Sequence, residues 1–157
     1  MVSQTEYKRK FLVVIDETPE CERALTFAAY RVKRTGGTVV LMSVVHKPEF
    51  IGLGVEEVLR AEAVEEAERN LDTRLVRIRD IGDVRTESVI REGEAVAEIE
   101  RVIDQDPDIA ILVLAASTSS EGPGPLVMHF ASRANALPIP LTIVPGRMSD
   151  AEIIDIC

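Results

Sequence analysis

Aromatic residues and positive charge are both scarce in this chain of 157 residues. Aromatic side chains make up 4% of the sequence and tryptophan is missing, so a stacking surface for single-stranded nucleic acid is not expected. Acidic residues outnumber basic ones by 27 to 18, which gives a formal charge of −9. Because phosphate backbones and anionic lipids attract basic surfaces, we expect neither nucleic acid nor a membrane as a partner.

The sequence also lacks the patterns of secreted and membrane-spanning proteins. It does not open on a charged segment followed by an apolar one, and no apolar run approaches the ~20 residues of a membrane span. Cys21 and Cys157 stand near opposite ends of the chain and fit a reduced compartment better than a disulfide framework. We therefore expect a cytoplasmic protein with one domain over residues 1–157, a core in 10–146 and a short tail over 147–157.

Catalytic motifs are missing as well. The chain has no Gly-x4-Gly-Lys-[Ser/Thr] phosphate-binding loop and no Gly-x-Ser-x-Gly nucleophile turn. Its two histidines, His46 and His129, have no neighbouring Cys or His at metal-ligand spacing, so a metal site is not expected. These absences favour a binding protein over an enzyme.

Buried strands alternate with amphipathic helices along the chain. Short apolar runs and one weakly alternating segment predict five strands, over residues 10–16, 38–45, 84–91, 109–114 and 141–144. Helical spacing predicts helices over 19–34, 55–81, 94–106 and 125–136, and capping-box spacing from Ser149 to Glu152 predicts a short terminal helix. This βαβαβαβαβ order predicts an α/β fold with a parallel sheet that helices cover on both faces.

The stretch from Phe11 to Leu25 is the most informative part of the sequence. An apolar run ends in Asp16, and Thr18 followed by Pro19 gives the expected cap and first residue of a helix. Asp16 is thus expected where a strand ends, and ligands of open α/β sheets bind outside the carboxyl ends of the strands. A carboxylate there can accept hydrogen bonds from a ribose hydroxyl or an adenine amino group, or it can cap nearby amides of the turn.

The chain resembles the universal stress protein family from about Lys10 to Gly146. The order and spacing of four segments carry the resemblance, namely residues 13–25, 40–45, 91–99 and 107–114. The resemblance implies a doubly wound, five-stranded parallel sheet in the order 3-2-1-4-5, usually within a homodimer. It also implies an adenine nucleotide, ATP or AMP, at the carboxyl ends of the first and fourth strands, with Mg²⁺ as a companion of ATP.

The glycine motif of the ATP-binding members is degenerate in this chain. The family pattern, Gly-x2-Gly-x9-Gly-[Ser/Thr], meets Ala115 and Thr118 at its first two glycines, and it reaches Ser132 only if the loop is lengthened. Gly122 and Gly124 lie between these positions, outside the family spacing. The departure leaves the predicted fold unchanged and weakens the expectation of ATP.

The resemblance and the chemistry of the loop after the fourth strand together indicate a set of nucleotide-binding residues. Asp16 would contact the nucleoside, and Ile15 and Val44 would wall the adenine pocket. The loop after the fourth strand leads to a helix that starts near Pro125, where hydroxyl groups and backbone amides would favour a phosphate. The full set is Ile15, Asp16, Val44, Leu114, Ala115, Ser117, Thr118, Gly122, Gly124 and Ser132.

These assignments have structural alternatives. The methyl group of Ala115 takes space where the family brings its backbone close to phosphate, and Pro123 and Pro125 remove two N–H donors. Buried β-branched residues such as Ile15 and Val44 are usually part of a core. The loop can equally be a polar loop that holds no ligand.

The leading prediction is therefore adenine-nucleotide binding in stress-response signalling. A dimeric interaction module that binds no nucleotide is the first alternative, and a slow ATPase is the second. The last strand, Leu141–Val144, is expected at an edge of the sheet, where universal stress proteins often pair around a two-fold axis. We expect a homodimer joined there, with Thr142 and Val144 near the axis.

Overall fold

The computed structural model of the protein describes residues 9–157, which form a five-stranded, all-parallel sheet. The strands lie in the order β3-β2-β1-β4-β5, which confirms the predicted topology. Their bounds are β1 Lys10–Val14, β2 Thr38–Val45, β3 Arg85–Glu92, β4 Ile109–Ala116 and β5 Leu141–Pro145. Because all five strands run in the same direction, their carboxyl ends meet at one edge of the sheet.

Five helices cover both faces of this sheet, as the alternating pattern predicts. They are α1 Cys21–Thr35, α2 Val55–Ile81, α3 Ala95–Gln105, α4 Pro125–Ser132 and α5 Asp150–Ile156. Helices α1, α2 and α5 share a core with Phe11 and Val13 of β1, whereas α3 and α4 share a core with Leu12 and Val14. Alternate residues of one strand thus serve two cores, which explains why the strand is a continuous apolar run.

The turn between β1 and α1 is longer than the sequence predicts. β1 ends at Val14 instead of residue 16, and α1 begins at Cys21 instead of Pro19. The predicted helix cap, Thr18, donates its backbone amide and its hydroxyl to Oδ1 of Asp16 instead. Local bonds of this kind compete with helix formation, so the helix starts two residues later than predicted.

The two elements that flank the loop after β4 also differ from their predicted bounds. β4 continues to Ala116, because Ala115 and Ala116 still pair with Val144 and Pro145 of β5. Helix α4 ends at Ser132 instead of residue 136, and the chain that follows forms turns. The loop is therefore shorter than predicted and starts at residue 117.

Helix α2 is buried along only part of its length. Its apolar residues form a stripe from Val55 to Ile78, but the buried residues of the stripe, Ala67, Leu71 and Ile78, all lie at residue 67 or beyond. With 27 residues the helix is roughly 40 Å long, whereas the eight-residue strands β2 and β3 span only about 27 Å. Its first turns therefore extend past the sheet. In residues 9–157, neither α2 nor any other helix is long and apolar enough to cross a membrane.

The C-terminal segment, predicted to be a tail outside the core, packs against the domain. Ile153 of α5 is completely buried in the core that contains α1. The predicted capping box is present, with Ser149 and Glu152 each accepting a hydrogen bond from the backbone of the other. Arg23 of α1 and Asp150 of α5 form an ion pair of 2.7 Å. Residues beyond 146 thus belong to the folded domain.

Candidate functional site

The candidate site lies at the carboxyl ends of β1 and β4. These strands are neighbours in the sheet, but the chain after β1 continues to α1 on one face and the chain after β4 continues to α4 on the other. The two connections diverge and leave a crevice between them. In open α/β sheets, ligands bind at this kind of topological switch point.

The larger of two hollows at this edge lies between the strand ends and α2, and we name it the α2-side hollow. Its volume is ≈ 470 Å³, within the roughly 300–1,000 Å³ that is typical of small-molecule sites. Strand ends contribute one wall and α2 the other. The lining residues are Ile15, Asp16, Glu17, Ser43, Val44, Val45, His46, Ala63, Glu66, Ala67 and Asn70.

The smaller hollow, which we name the α4-side hollow, lies between the ends of β1 and β4 and the first turn of α4. Its volume is ≈ 100 Å³, the space of roughly three water molecules. Its lining includes Asp16, Leu114, Ala115, Gly124 and Val127. Asp16 lines both hollows, so one carboxylate stands where the two spaces adjoin.

The two carboxylate oxygens of Asp16 have different surroundings. Oδ1 accepts the backbone amide of Thr18 at 2.9 Å and also the Thr18 hydroxyl. Within residues 9–157, Oδ2 receives no hydrogen bond, and the side chain is exposed. Asp16 therefore fixes the turn, as the structural alternative predicts, and still presents one oxygen to a ligand.

The loop between β4 and α4 uses many of its own backbone donors. The amide of Ser117 donates to the carbonyl of Pro123 at 2.9 Å, and the amide of Gly122 donates to the carbonyl of Ser119. The amides of Ser119 and Glu121 donate to the serine hydroxyls of residues 117 and 119. The loop is thus folded onto itself, which leaves few of its amides for an anion.

The first turn of α4 offers donors that the loop does not. The amides of Leu126 and Val127 have no carbonyl one helical turn before them, as in every helix start, and no side chain of residues 9–157 caps α4. Both residues line the α4-side hollow. A helix N-terminus attracts negative charge, so this hollow can hold a small anionic group.

Acidic side chains surround the two hollows. Asp16, Glu17, Glu20 and Glu66 line them, and in residues 9–157 no lysine or arginine does. Burial raises the pKa of the Cys21 thiol, which also lines the α4-side hollow, so this group stays neutral near pH 7. A highly charged anion would be repelled here, because several carboxylates line the hollows and, within residues 9–157, no lysine or arginine lines them to offset this charge.

Six of the ten predicted site residues line the hollows. Ile15, Asp16 and Val44 line the α2-side hollow, and Asp16, Leu114, Ala115 and Gly124 line the α4-side hollow. Four line neither: Ser117, Thr118, Gly122 and Ser132. Ser132 is exposed at the end of α4, where its hydroxyl donates to the carbonyl of His129 at 2.9 Å.

The wall that α2 contributes to the larger hollow was not predicted from the sequence. Ala63 and Ala67 belong to the apolar side of the helix, and only its Glu/Arg-rich face is predicted to be a solvated surface. Both alanines line the α2-side hollow together with Glu66 and Asn70. Their spacing of three and four residues places them on one helical face. The two alanines could have indicated this wall in the sequence. They interrupt a stripe of larger apolar residues, and their small side chains leave space between the helix and the sheet.

A hollow larger than either of these, ≈ 840 Å³, lies at the opposite edge of the sheet. Its lining includes Lys10, which pairs with Asp106 at 2.8 Å and with Glu87 at 3.0 Å. The hydrogen bond to Asp106 is the main cause that raises the pKa of Lys10. We place the candidate site at the carboxyl edge despite the smaller volumes, because ligands of this architecture bind there.

Known structures share the fold of this chain. "Universal stress protein UspA from Lactobacillus plantarum" is 19% identical with a TM-score of 0.71, over 88% of this chain and 97% of that one. A universal stress protein from Archaeoglobus fulgidus in complex with dAMP is 19% identical with a TM-score of 0.59, over 88% and 98%. A universal stress protein family protein from Arabidopsis thaliana with AMP bound is 15% identical with a TM-score of 0.61, over 91% and 94%.

The sequence itself matches a family model. No curated protein sequence matches the chain, but the model described as the universal stress protein family matches residues 8–145. The match covers most of the sequence and spans all five strands, whose order is the one that the resemblance implies. The chain belongs to the universal stress protein family.

Proposed function

We propose that the protein binds an adenine nucleotide with a single phosphate, such as AMP, and that it acts in stress-response signalling and not as an enzyme. The observation that carries this proposal is the pair of unequal hollows that adjoin at Asp16, ≈ 470 Å³ and ≈ 100 Å³. The larger suits a nucleoside, and the smaller suits one anionic group. The relatives with dAMP and AMP bound support the same class of ligand.

The base and the ribose would occupy the α2-side hollow. Ile15 and Val44 supply apolar walls, and Ser43 and Asn70 supply polar groups. A small-molecule site usually combines apolar walls with a few polar groups in this way. Oδ2 of Asp16 would accept a hydrogen bond from a ribose hydroxyl, because a carboxylate is an acceptor with several lone pairs and the turn uses only Oδ1.

The phosphate would lie in the α4-side hollow, against the amides of Leu126 and Val127. Further phosphates would find little support. Pro123 and Pro125 have no N–H to donate, and the amides of Ser117 and Gly122 already bond within the loop. Each added phosphate also brings negative charge toward the surrounding carboxylates. The geometry therefore favours AMP over ADP and ATP.

Thermal unfolding with a panel of ligands tests this proposal. Adenosine, AMP, ADP and ATP are added in turn, each with and without Mg²⁺, and GMP serves as the control for the base. AMP at about 100 times its dissociation constant should stabilise the protein by about 2.7 kcal/mol. ATP should require a higher concentration for the same shift. Phosphate release from ATP, measured in parallel, tests the slow-ATPase alternative.

The same panel separates the competing functions. If no nucleotide shifts the melting temperature at millimolar concentration, the protein is a family member that acts without nucleotide. The self-bonded loop favours that second candidate, because it removes donors that a phosphate would use. A shift of equal size with GMP and AMP would contradict an adenine site, and a larger shift with Mg²⁺ and ATP would contradict the preference for one phosphate.

A further inference from the structure

Exposed apolar side chains are concentrated at the start of α2. Ten large hydrophobic side chains are exposed in residues 9–157, and six of them lie within residues 50–59. We name these six the α2 patch: Phe50, Ile51, Leu53, Val55, Val58 and Leu59. The remaining four are scattered singly, which is usual for a protein surface: Val76 lies near the end of α2, Met128 on α4, Ile143 on β5 and Ile156 on α5. A cluster of exposed apolar side chains, in contrast, marks a contact site.

The part of the α2 patch that precedes the helix, residues 50–53, has an unusual backbone conformation. Leu53 has a φ of 58° and is the only non-glycine residue of the described chain with a positive φ. Gly52 and Gly54 on either side also have positive φ angles, of 94° and 76°. The amide of Gly52 donates to the carboxylate of Glu56 at 3.1 Å. A leucine in this backbone region is strained, and strain of this kind is often retained at functional sites.

The helical half of the α2 patch forms one face. Val55, Val58 and Leu59 are separated by three and four residues, so they lie side by side on the helix. Val58 is 58% exposed, and the other two are 40% exposed. Because this part of α2 extends past the sheet, no element of residues 9–157 buries the face.

Acidic side chains surround the α2 patch. Residues 46–68 contain seven glutamates but only one lysine, Lys47, and one arginine, Arg60. Arg60 already forms an ion pair with Glu92, with its Nε 2.5 Å from a carboxylate oxygen. Glu57, Glu65 and Glu68 line a shallow depression beside the patch. The surface therefore combines exposed apolar side chains with an excess of negative charge.

We propose that the α2 patch docks a basic amphipathic helix of another protein. Such a helix offers apolar side chains to the patch and lysine or arginine to the glutamates, and charge complementarity of this kind favours one partner over others. A second copy of this chain would bring glutamates against glutamates across a two-fold axis. An anionic membrane would be repelled for the same reason. The patch residues line neither hollow of the candidate site, so the proposal is independent of nucleotide binding.

Peptide binding measured by fluorescence anisotropy tests the proposal. The probe is a labelled peptide of about 18 leucines and lysines that forms a cationic amphipathic helix. The full chain should bind it saturably, with a dissociation constant below about 100 µM at low salt. The variant Phe50→Ser/Leu53→Ser and the variant Glu57→Lys/Glu62→Lys should each bind at least about tenfold more weakly. Added salt should weaken binding.

Matched controls make the result specific. Val76→Ser alters an exposed apolar residue of the same helix outside the α2 patch, and Asp72→Lys reverses an exposed charge there. Neither variant should change the dissociation constant more than about threefold. A peptide with glutamate in place of lysine should not bind. Circular dichroism confirms that each variant is folded.

Several outcomes would overturn the proposal. One is the absence of saturable binding by the wild type at about 1 mM peptide. Others are equal binding of the acidic peptide and equal losses in the patch and control variants. A change of oligomeric state in Phe50→Ser/Leu53→Ser would identify a second copy as the occupant. Patch-dependent binding to neutral phosphatidylcholine vesicles would identify a lipid surface.

Discussion

Asp16 holds the β1–α1 turn with Oδ1, which accepts hydrogen bonds from the amide and the hydroxyl of Thr18. The same side chain lines both hollows of the candidate site. A carboxylate has enough lone pairs for both tasks, so a turn role and a ligand role do not exclude each other. A substitution of Asp16 therefore needs a control that disturbs the turn without removing the carboxylate.

Asp16→Ala should weaken AMP binding by about 1–3 kcal/mol, because a ribose hydroxyl would lose a charged hydrogen-bond partner. Isothermal titration calorimetry measures the change. Thr18→Ala is the control, since it removes only the hydroxyl that donates to Oδ1. That variant should retain most of the affinity. If both variants lose the same affinity, Asp16 acts through the turn and not by contact with the ligand.

The sequence predicted the strand-end part of the site and missed the part that depends on distant packing. Ile15, Asp16 and Val44 follow from strand ends and from the family resemblance, and all three line the α2-side hollow. Ser117 and Gly122 were predicted from their chemistry, but their amides bond within the loop. Which donors a loop leaves free depends on its three-dimensional conformation, and local residue types do not determine that.

The periodicity of apolar residues predicted which segments are helices and which are strands. All five strands and all five helices were predicted, because buried parallel strands and amphipathic helices have different apolar spacing. Predicted boundaries were wrong where a side chain formed a hydrogen bond with the backbone in place of a helical one. The start of α1 is an example, because the amide of Thr18 donates to Asp16. The apolar stripe of α2 predicted which side of the helix faces the sheet. It did not predict where the sheet ends, so the exposure of the first turns of α2 was missed.

Helix α5 should contribute substantially to stability although it is short and terminal. Ile153 is completely buried against α1, so Ile153→Ala should lower the free energy of unfolding by about 2–5 kcal/mol. Ile156 of the same helix is 59% exposed and provides the matched control. Ile156→Ala should change stability by about 0.5 kcal/mol or less. Urea unfolding measures both variants, and similar losses would show that α5 is not part of the cooperative core.

The two edge strands of the sheet, β3 and β5, differ in polarity. Residues 85–88 of β3 are exposed and polar, and charged side chains discourage edge-to-edge association. β5 is apolar and, within residues 9–157, pairs with β4 alone. Ile143, the central residue of β5, is 38% exposed. An apolar edge of this kind is usually covered, so we propose a homodimer that forms through β5.

A substitution that tests the β5 homodimer has to be placed at a side chain that is exposed in the single chain. The sequence places Val144 near the two-fold axis, but its side chain is only 2% exposed and belongs to the core that contains α1. A lysine there would destabilise the fold and would not report on association. Alternate residues of a strand face the same side of the sheet, so Thr142, which is half-buried, faces the same side as Val144. Ile143 is exposed on the opposite side and is the suitable position.

Ile143→Lys should convert the dimer to a monomer. At the centre of a strand that pairs with its own copy, the substitution sets two positive charges near each other across the axis and removes apolar contact. Val76→Lys, at another exposed apolar position on α2, should remain dimeric. Light scattering at tens of micromolar measures both variants, with circular dichroism to confirm folding. A wild type that is monomeric at this concentration, or an Ile143→Lys variant that stays dimeric, would place the contact elsewhere or show that the chain does not self-associate.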